Sequence, residues 1–272
     1  MAIRRSYLAG DFKQDITFDP IFGYVMSKKE NCLHLLQIAL PELHLKEIIE
    51  ISPQKPIDMN LFEKSSRFDI FAKDDKNRVY DIEMQNVQLD FLPERAWYYL
   101  RQLQNKNAPK KGEDYDKINA SYVIFFCRFD PFDEDRAVYH FDFSERENHR
   151  RIMDQAGHIM FFNSKGKNRE NIGPQMAEFL DYLNGHVQRP SKYIAKLNND
   201  IEEYISTPEW GEVMDQISLL REDMAAEAVE KMIRSYRKYF NLSDEKILSI
   251  LLEEYGDTFS EDQLKEFIKE TK

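Results

Sequence analysis

The sequence predicts an α/β protein, with a β-sheet flanked by helices and an all-helical C-terminal region. The run SYVIFFCRFD at 121–130 is rich in β-forming residues and has polar neighbours, which is typical of a buried central strand. Segments with apolar residues at helical spacing stand on both sides of that run. After residue 190 the spacing stays helical while the charge density rises.

The N-terminal part predicts two helices and a strand. Asp19 is a candidate N-cap of the first helix, with Pro20 in the first helical position. The second helix ends before Pro41, since proline cannot continue it. Its apolar residues recur at helical spacing: Cys32, Leu35, Leu36 and Ala39. Residues 46–51, KEIIEI, then predict a strand.

Residues 68–85, FDIFAKDDKNRVYDIEMQ, predict a β-hairpin whose second strand is acidic on one side. Side chains alternate along a strand, so one face is apolar and carries Tyr80, Ile82 and Met84. The other face carries Asp81, Glu83 and Gln85. A two-residue turn would put Asp69 on the apolar face. A three-residue turn at 75–77 instead pairs Asp69 with Glu83, and we predict that register.

Two acids directly opposite each other destabilise a strand pair, so a cation is expected between them. A divalent metal is one explanation, because Mg²⁺ takes carboxylate oxygens and water as ligands. A solvated acidic face balanced by Lys73, Arg67 or Arg78 is the other, and the spacing alone leaves both open.

The rest of the core predicts further helices and strands. Residues 91–106 have helical spacing and begin near a proline, and 107–117 form a basic and polar loop. Strands are predicted within 136–143 and 158–164. The segment MAEFLDYLNG predicts a helix that ends at Gly185.

We divide the chain into a core domain at 1–190 and a helical acidic subdomain at 191–272. Helical spacing covers 192–240, and two short helices are predicted within 243–270, where Ser260 is a candidate N-cap. A helix-turn-helix that contacts DNA, a dimerisation arm and a subdomain packed on the core all fit this pattern. The acidity of these helices disfavours direct DNA contact.

The net charge of −11 is concentrated near the C-terminus, because residues 200–272 hold 19 acids and nine bases. The preceding residues are nearly neutral, so a basic DNA-binding groove can form there. The longest apolar run, YVIFFC at 122–127, is too short to span a bilayer, and no nucleotide-binding motif occurs. Cys32 and Cys127 are expected as core thiols. A cytoplasmic protein without membrane or nucleotide cofactor is expected.

The hairpin and its surroundings resemble a known family. Asp69 followed by Glu83-Met84-Gln85 resembles the D...ExK signature of the PD-(D/E)XK nuclease superfamily. The ordered set of motifs resembles, more specifically, the recombination-promoting nuclease and transposase family of bacteria. That set comprises FDPIFGYVM at 18–26, RFDIFAKDDKNRVYDIEMQ at 67–85, RAWYYLRQL at 95–103, KKGEDYDKI at 110–118 and YVIFFCRFDPF at 122–132.

This resemblance implies a restriction-endonuclease-like core with a central mixed sheet, and metal-dependent cleavage of DNA phosphodiester bonds. Asp69 and Glu83 would bind Mg²⁺, which Mn²⁺ or Ca²⁺ could replace, and the Met84 carbonyl would be a further ligand. Gln85 stands where the superfamily usually has Lys. Its amide can orient the attacking water but cannot supply positive charge to the transition state.

Other residues could support such a site. Arg95 and Tyr99 share one helix face, and they could point to the site or a phosphate, or stack within the core. Asp19 could bind the metal through water, as in many of these nucleases, or serve only as an N-cap. Candidate cations for phosphate contact are Arg95, Lys73, Lys110 and Lys111.

Two functional hypotheses follow from the sequence. The first is a Mg²⁺-dependent endonuclease acting on double-stranded DNA, tied to recombination or to a mobile element. The second is a catalytically weak DNA-binding or interaction protein that keeps the nuclease fold. A homodimer would fit the first hypothesis, since cutting both strands of a duplex usually takes two active sites.

Overall fold

The described strands form one six-stranded mixed sheet. The computed structural model describes residues 14–53, 69–106, 108–109, 111–112, 114, 118–147, 149–153 and 157–271. The strands of this sheet are β1 (Ile48–Pro53), β2 (Ile70–Asp74), β3 (Val79–Gln85), β4 (Ser121–Cys127), β5 (Val138–Asp142) and β6 (His158–Asn163). Their spatial order is β1-β2-β3-β4-β6-β5.

Strands β3, β4 and β6 run parallel to one another. The other three pair antiparallel: β1 with β2, β2 with β3, and β5 with β6. β3, β4 and β6 are buried along their whole length, as expected for parallel strands covered on both faces. The predicted central strand at 121–130 is thereby confirmed, and so is the predicted mixture of sheet and helices.

Helices cover both faces of the sheet. The α-helices of the described residues are α1 (Asp19–Ser27), α2 (Lys29–Ala39), α3 (Leu92–Lys106), α4 (Pro174–Leu183), α5 (Lys192–Ile205), α6 (Pro208–Phe240), α7 (Asp244–Tyr255) and α8 (Glu261–Glu270), of which α7 and α8 belong to a separate unit. On one face, Leu100 and Leu103 of α3 pack in a cluster with Phe125 of β4. On the other face, Phe179 of α4 meets Phe126 of β4 edge-on, with ring centroids 5.3 Å apart.

The chain separates into two compact units, which contain the described residues 14–210 and 211–271. The second unit has its own apolar core, formed by Val229, Ile233, Ile247, Leu251 and Leu264. Ser260 caps α8 in a capping box with Gln263, which confirms the predicted cap. The domain division at residue 190 stays a prediction.

The β2–β3 hairpin has the predicted register, with Ile70 opposite Ile82 and Lys73 opposite Val79. Asp74 fixes its three-residue turn. This fully buried carboxylate accepts hydrogen bonds from the N–H groups of Lys76 and Arg78, from the Arg78 guanidinium and from the Tyr80 hydroxyl. Asn77 adopts the left-handed conformation that such turns need (φ 62°).

Several predicted boundaries shift. Helix α1 begins at Asp19, one residue before the predicted start, because the Phe18 carbonyl accepts the first helical hydrogen bond and Phe18 is the N-cap. The N-cap prediction for Asp19 was therefore wrong. Strand β1 begins at 48 instead of 46, and β5 is a partly exposed edge strand limited to 138–142. No helix among the described residues has the length and apolarity of a membrane span.

Candidate active site

Asp69 lies at the start of β2, directly opposite Glu83 of β3 if the hairpin register continues by one residue. The Asp69 N–H donates to Glu83 Oε1 at 3.0 Å, which confirms that the two residues meet. Glu83 is fully buried. The strand pairing thus brings two carboxylates together on the side of the sheet that α3 covers.

Met84 links the two acids through its backbone. Its N–H donates to Asp69 Oδ2 at 3.1 Å, so the backbone of β3 holds the Asp69 carboxylate. In an extended strand, the N–H and the carbonyl of one residue point to the same neighbouring strand. The Met84 carbonyl therefore points toward the Asp69 side of β3, as the superfamily signature requires of a third oxygen ligand.

Arg95 of α3 is the cation that bonds to Glu83 within the described part of the chain. Its guanidinium donates to Glu83 Oε2 at 2.9 Å, to Gln85 Oε1 at 3.0 Å and to the Tyr99 hydroxyl at 3.0 Å. It also lies over the rings of Tyr99 and Phe125, at 5.0 and 5.8 Å from their centroids. Both interpretations of the Arg95–Tyr99 pair hold at once, because the arginine points to the acids while it stacks on core aromatics.

The acids have strongly perturbed proton affinities. Burial raises the pKa of Asp69 well above its usual range, and the negative charges of Glu83 and Asp19 raise it further. Burial also raises the pKa of Glu83, although the positive charge of Arg95 opposes that shift. Clustered carboxyl groups of this kind occur at catalytic and metal sites, where a cation replaces the protons.

Asp81 adds a third acid on the same face of β3, as the alternation predicted. It is fully buried, and no backbone group or cation among the described residues forms a hydrogen bond with its carboxyl oxygens. Burial raises its pKa well above the usual range, and the charges of Glu83 and Asp69 add to that shift. Asp69, Asp81 and Glu83 are called the acidic site below.

Gln85 stands at the end of β3, where the superfamily usually has Lys. Its amide N–H donates to the Val87 carbonyl at 2.8 Å, and its Oε1 accepts from Arg95. Both ends of the side chain are therefore paired. Gln85 thereby helps to hold the Arg95 guanidinium beside Glu83, which places a positive charge next to this acid.

The other predicted residues lie farther from the acids or outside the described residues. Lys73 shares the face of Asp69 but lies four residues along β2, roughly 13 Å away at about 3.3 Å per residue. Lys111 is exposed in the loop after α3, and Lys110 lies outside the described residues. Asp19 is exposed at the start of α1, but its charge acts on both Asp69 and Glu83.

The acidic site fits a divalent metal ion of the Mg²⁺ type. All of its side-chain donors are carboxylate oxygens, which Mg²⁺ prefers. Asp69 Oδ1 accepts no hydrogen bond from a described residue, and Glu83 Oε1 accepts one, so lone pairs remain for a metal. The buried Asp81 carboxyl lies on the same face of β3 and is a further oxygen donor once it has lost its proton.

A second cluster of chemical interest was missed by the sequence analysis. His140, Asp142 and His158 bring potential ligand atoms within 4.8 Å of one another. The sequence contains a weak signal for this cluster, since residues 140 and 142 are two positions apart on one predicted strand and therefore share a face. His158 joins them only through the pairing of β5 with β6, which no local pattern indicates. These three residues are called the histidine site below.

Comparison with known proteins identifies the family. A family model described as PD-(D/E)XK nuclease family transposase matches residues 12–238. Searches among curated proteins and among solved structures gave no significant match. The mixed sheet with flanking helices is consistent with the restriction-endonuclease-like fold that the resemblance implied. The matched range includes the acidic hairpin and α3, and the chain belongs to the PD-(D/E)XK nuclease family of transposases.

Proposed function

We propose that this protein is a Mg²⁺-dependent endonuclease that hydrolyses phosphodiester bonds in double-stranded DNA. The observation that carries the proposal is the acid pair: half-buried Asp69 meets fully buried Glu83 across the hairpin, and Arg95 bonds to Glu83. Maintaining buried acids with raised pKa values costs stability, which favours a functional reason for them. Membership in a nuclease family supports the same reaction.

Asp69, Glu83 and the Met84 carbonyl would hold the ion, with Asp19 contributing through water. Mn²⁺ or Ca²⁺ could occupy the same oxygen ligands. When bound, Mg²⁺ polarises the phosphoryl oxygen and lowers the pKa of water so that it can attack. The hydrogen bond from Met84 to Asp69 holds that carboxylate just before β2, beside Glu83.

Arg95 would stabilise the negative charge that develops on the phosphate. Its guanidinium is already oriented by Glu83, Gln85 and Tyr99, so little reorganisation is needed when DNA binds. The proposed role of Gln85, to orient the attacking water, requires its amide to exchange Val87 or Arg95 for that water. Arg95 thus takes over the electrostatic part of the superfamily lysine, and Gln85 keeps the hydrogen-bonding part.

DNA contacts outside the acidic site would come from Tyr99 and from Lys73, Lys110 and Lys111. We further propose a cytoplasmic enzyme that acts in recombination or in the movement of a mobile element, which the transposase description of the family supports. Cleavage of both strands would require two copies of the chain, so a homodimer on DNA is part of the proposal.

Nicking of supercoiled plasmid in a Mg²⁺ titration tests the proposal. Asp69→Ala and Glu83→Ala should each reduce nicking at least about a hundredfold, because each removes a charge that holds the ion. Asp75→Ala is the matched control, since Asp75 is an exposed acid in the turn of the same hairpin. Equal nicking by wild type and both site variants would overturn the proposal.

The catalytically weak DNA-binding protein remains the second candidate. One observation favours it: both ends of the Gln85 amide and one oxygen of Glu83 are already occupied by protein groups. This candidate predicts a DNA mobility shift at low salt without Mg²⁺-dependent nicking. Measuring both properties on one preparation separates the two candidates.

A further inference from the structure

The histidine site lies where the edge strand β5 joins β6. Asp142 is directly opposite His158 in the antiparallel pair, and His140 precedes Asp142 by two residues, so the three side chains share one face. Asp142 Oδ1 lies 2.6 Å from His158 Nδ1 and 3.0 Å from His140 Nε2. One carboxylate oxygen therefore stands between two imidazole nitrogens.

The donor set is that of a late first-row transition metal. Imidazole nitrogen suits Zn²⁺, Cu²⁺, Ni²⁺ and Fe²⁺, whereas Mg²⁺ and Ca²⁺ take oxygen. In a tetrahedral zinc site with bonds of about 2.0 Å, ligand atoms lie about 3.3 Å apart. The donor atoms within 4.8 Å reach that spacing through small side-chain movements. Two histidines and one carboxylate leave a fourth position for water or another ligand.

The surroundings of the three residues support a built site. His158 is buried, and its ring stacks on Tyr122 with centroids 4.4 Å apart, so its orientation is fixed. His140 lines a cavity of about 350 Å³ that also carries Glu42 and Arg136. A ligand at the fourth position would thus have space and polar partners on the His140 side.

The histidine site cannot share an ion with the acidic site. His158 stacks on Tyr122, which in turn stacks on Tyr80, and Tyr80 lies on the face of β3 opposite to Asp81 and Glu83. Because β3 and β6 run parallel, the start of β6 and the end of β3 lie at opposite ends of the sheet. The two clusters therefore lie on opposite faces of the sheet, and Glu83 is also level with Phe161, three residues beyond His158.

We propose that His140, Asp142 and His158 bind a Zn²⁺-type divalent cation and thereby fasten the edge strand β5 to β6. The edge strand has a neighbour on one side only, since β5 ends the described sheet. A metal bound to two of its residues and to one residue of β6 adds a link between these strands. This site is independent of the proposed nuclease function.

Zinc binding to the full-length, chelator-treated protein tests the proposal. Titration calorimetry with Zn²⁺ is carried out in the presence of excess Mg²⁺, which suppresses zinc binding by the acidic site. The same titration is repeated on the Asp69→Ala/Glu83→Ala double variant, which lacks the acid pair altogether. We expect one equivalent of Zn²⁺ to bind to both proteins. His140→Ala and Asp142→Ala change exposed side chains and should each weaken binding at least about tenfold.

His186→Ala is the matched control, since His186 is also exposed and lies far along the chain from this cluster. Hydrogen exchange gives a second readout: Zn²⁺ should slow exchange of the 138–142 amides in wild type and in His186→Ala, but not in His140→Ala. The proposal is overturned if wild type binds no Zn²⁺ under excess Mg²⁺, or if His140→Ala binds it less than tenfold more weakly than wild type.

Discussion

The acidic site and the histidine site differ in donors, burial and origin. The acidic site has oxygen donors only, is covered by α3 and is partly neutralised by Arg95. The histidine site has mainly nitrogen donors and lies at the exposed edge of the same sheet. One sheet can therefore present hard and borderline ligands at separate places, because its two faces are separate surfaces.

Removal of the Arg95 charge should have the largest effect on nicking, and it tests the role of the cation that distinguishes the acidic site from the histidine site. Arg95→Met should reduce plasmid nicking about 10²–10³-fold, because the transition state loses a preorganised cation. It should also lower the free energy of unfolding by about 3 kcal/mol, since buried Glu83 loses its partner. Arg101→Ala, an exposed change on the same helix, is the control for nicking rates and urea unfolding.

The pH dependence of Mg²⁺ binding should follow from the raised pKa values of Asp69 and Glu83. Both acids must lose their protons to bind the ion, so affinity should rise with pH until the raised pKa values are passed. The slope should be about tenfold per pH unit for each proton released. Calorimetry in buffers with different heats of ionisation counts those protons. Affinity that stays constant between pH 5 and 8 would show that the acids are already ionised.

Moving the positive charge from position 95 to position 85 tests whether Arg95 and Gln85 together replace the superfamily lysine, one by its charge and the other by its hydrogen bonds. Gln85→Lys added to Arg95→Met should restore nicking about tenfold relative to Arg95→Met alone, because a cation returns beside Glu83. Gln85→Leu in the same background is the control, since it changes the side chain without adding charge. Equal nicking by the two double variants would show that a positive charge at position 85 does not replace Arg95.

The smallest expected effect concerns Asp81. Its raised folded pKa means that the folded chain holds a proton that the unfolded chain releases above about pH 4. Stability contributed by that proton is present at low pH and is lost as pH rises toward the folded pKa. Asp81→Asn should therefore be more stable than wild type at pH 8 by about 1 kcal/mol, and the difference should vanish near pH 4.

Urea unfolding of Asp81→Asn and wild type at several pH values measures this difference. Asp75→Asn, in the exposed turn, should show no such dependence. A stability difference that is the same at pH 4 and pH 8 would contradict a proton on Asp81.

The sequence predicted that Asp69 meets Glu83 because the geometry of the hairpin is local. The turn length determines which residues of β2 and β3 are opposite, and α3 follows the hairpin after six residues. Arg95 and Tyr99 were found through their helical spacing. Their actual arrangement, which combines an ion pair with aromatic stacking, depends on Phe125 of β4 and could not be read from that spacing.

The parts that were missed depend on contacts between distant segments. Alternation placed Asp81 on the acidic face, but its complete burial results from the packing of α3 over that face. His158 reaches Asp142 only because β5 pairs with β6 in the observed register. The start of α1 shifted by one residue because the backbone of Phe18 caps the helix without a side-chain hydrogen bond.

The turn that Asp74 stabilises limits which insertions and deletions this sequence can accept. The turn lies at the end of the hairpin that is far from the acid pair. Even so, loss or gain of one residue within 75–77 would shift the strand register by one residue, so that the side chains of one strand would point to the opposite face of the sheet from their present partners. Asp69 and Glu83 would then no longer meet, although neither had been substituted. In active descendants of this chain, insertions and deletions should be excluded from the turn even where its exposed side chains vary freely.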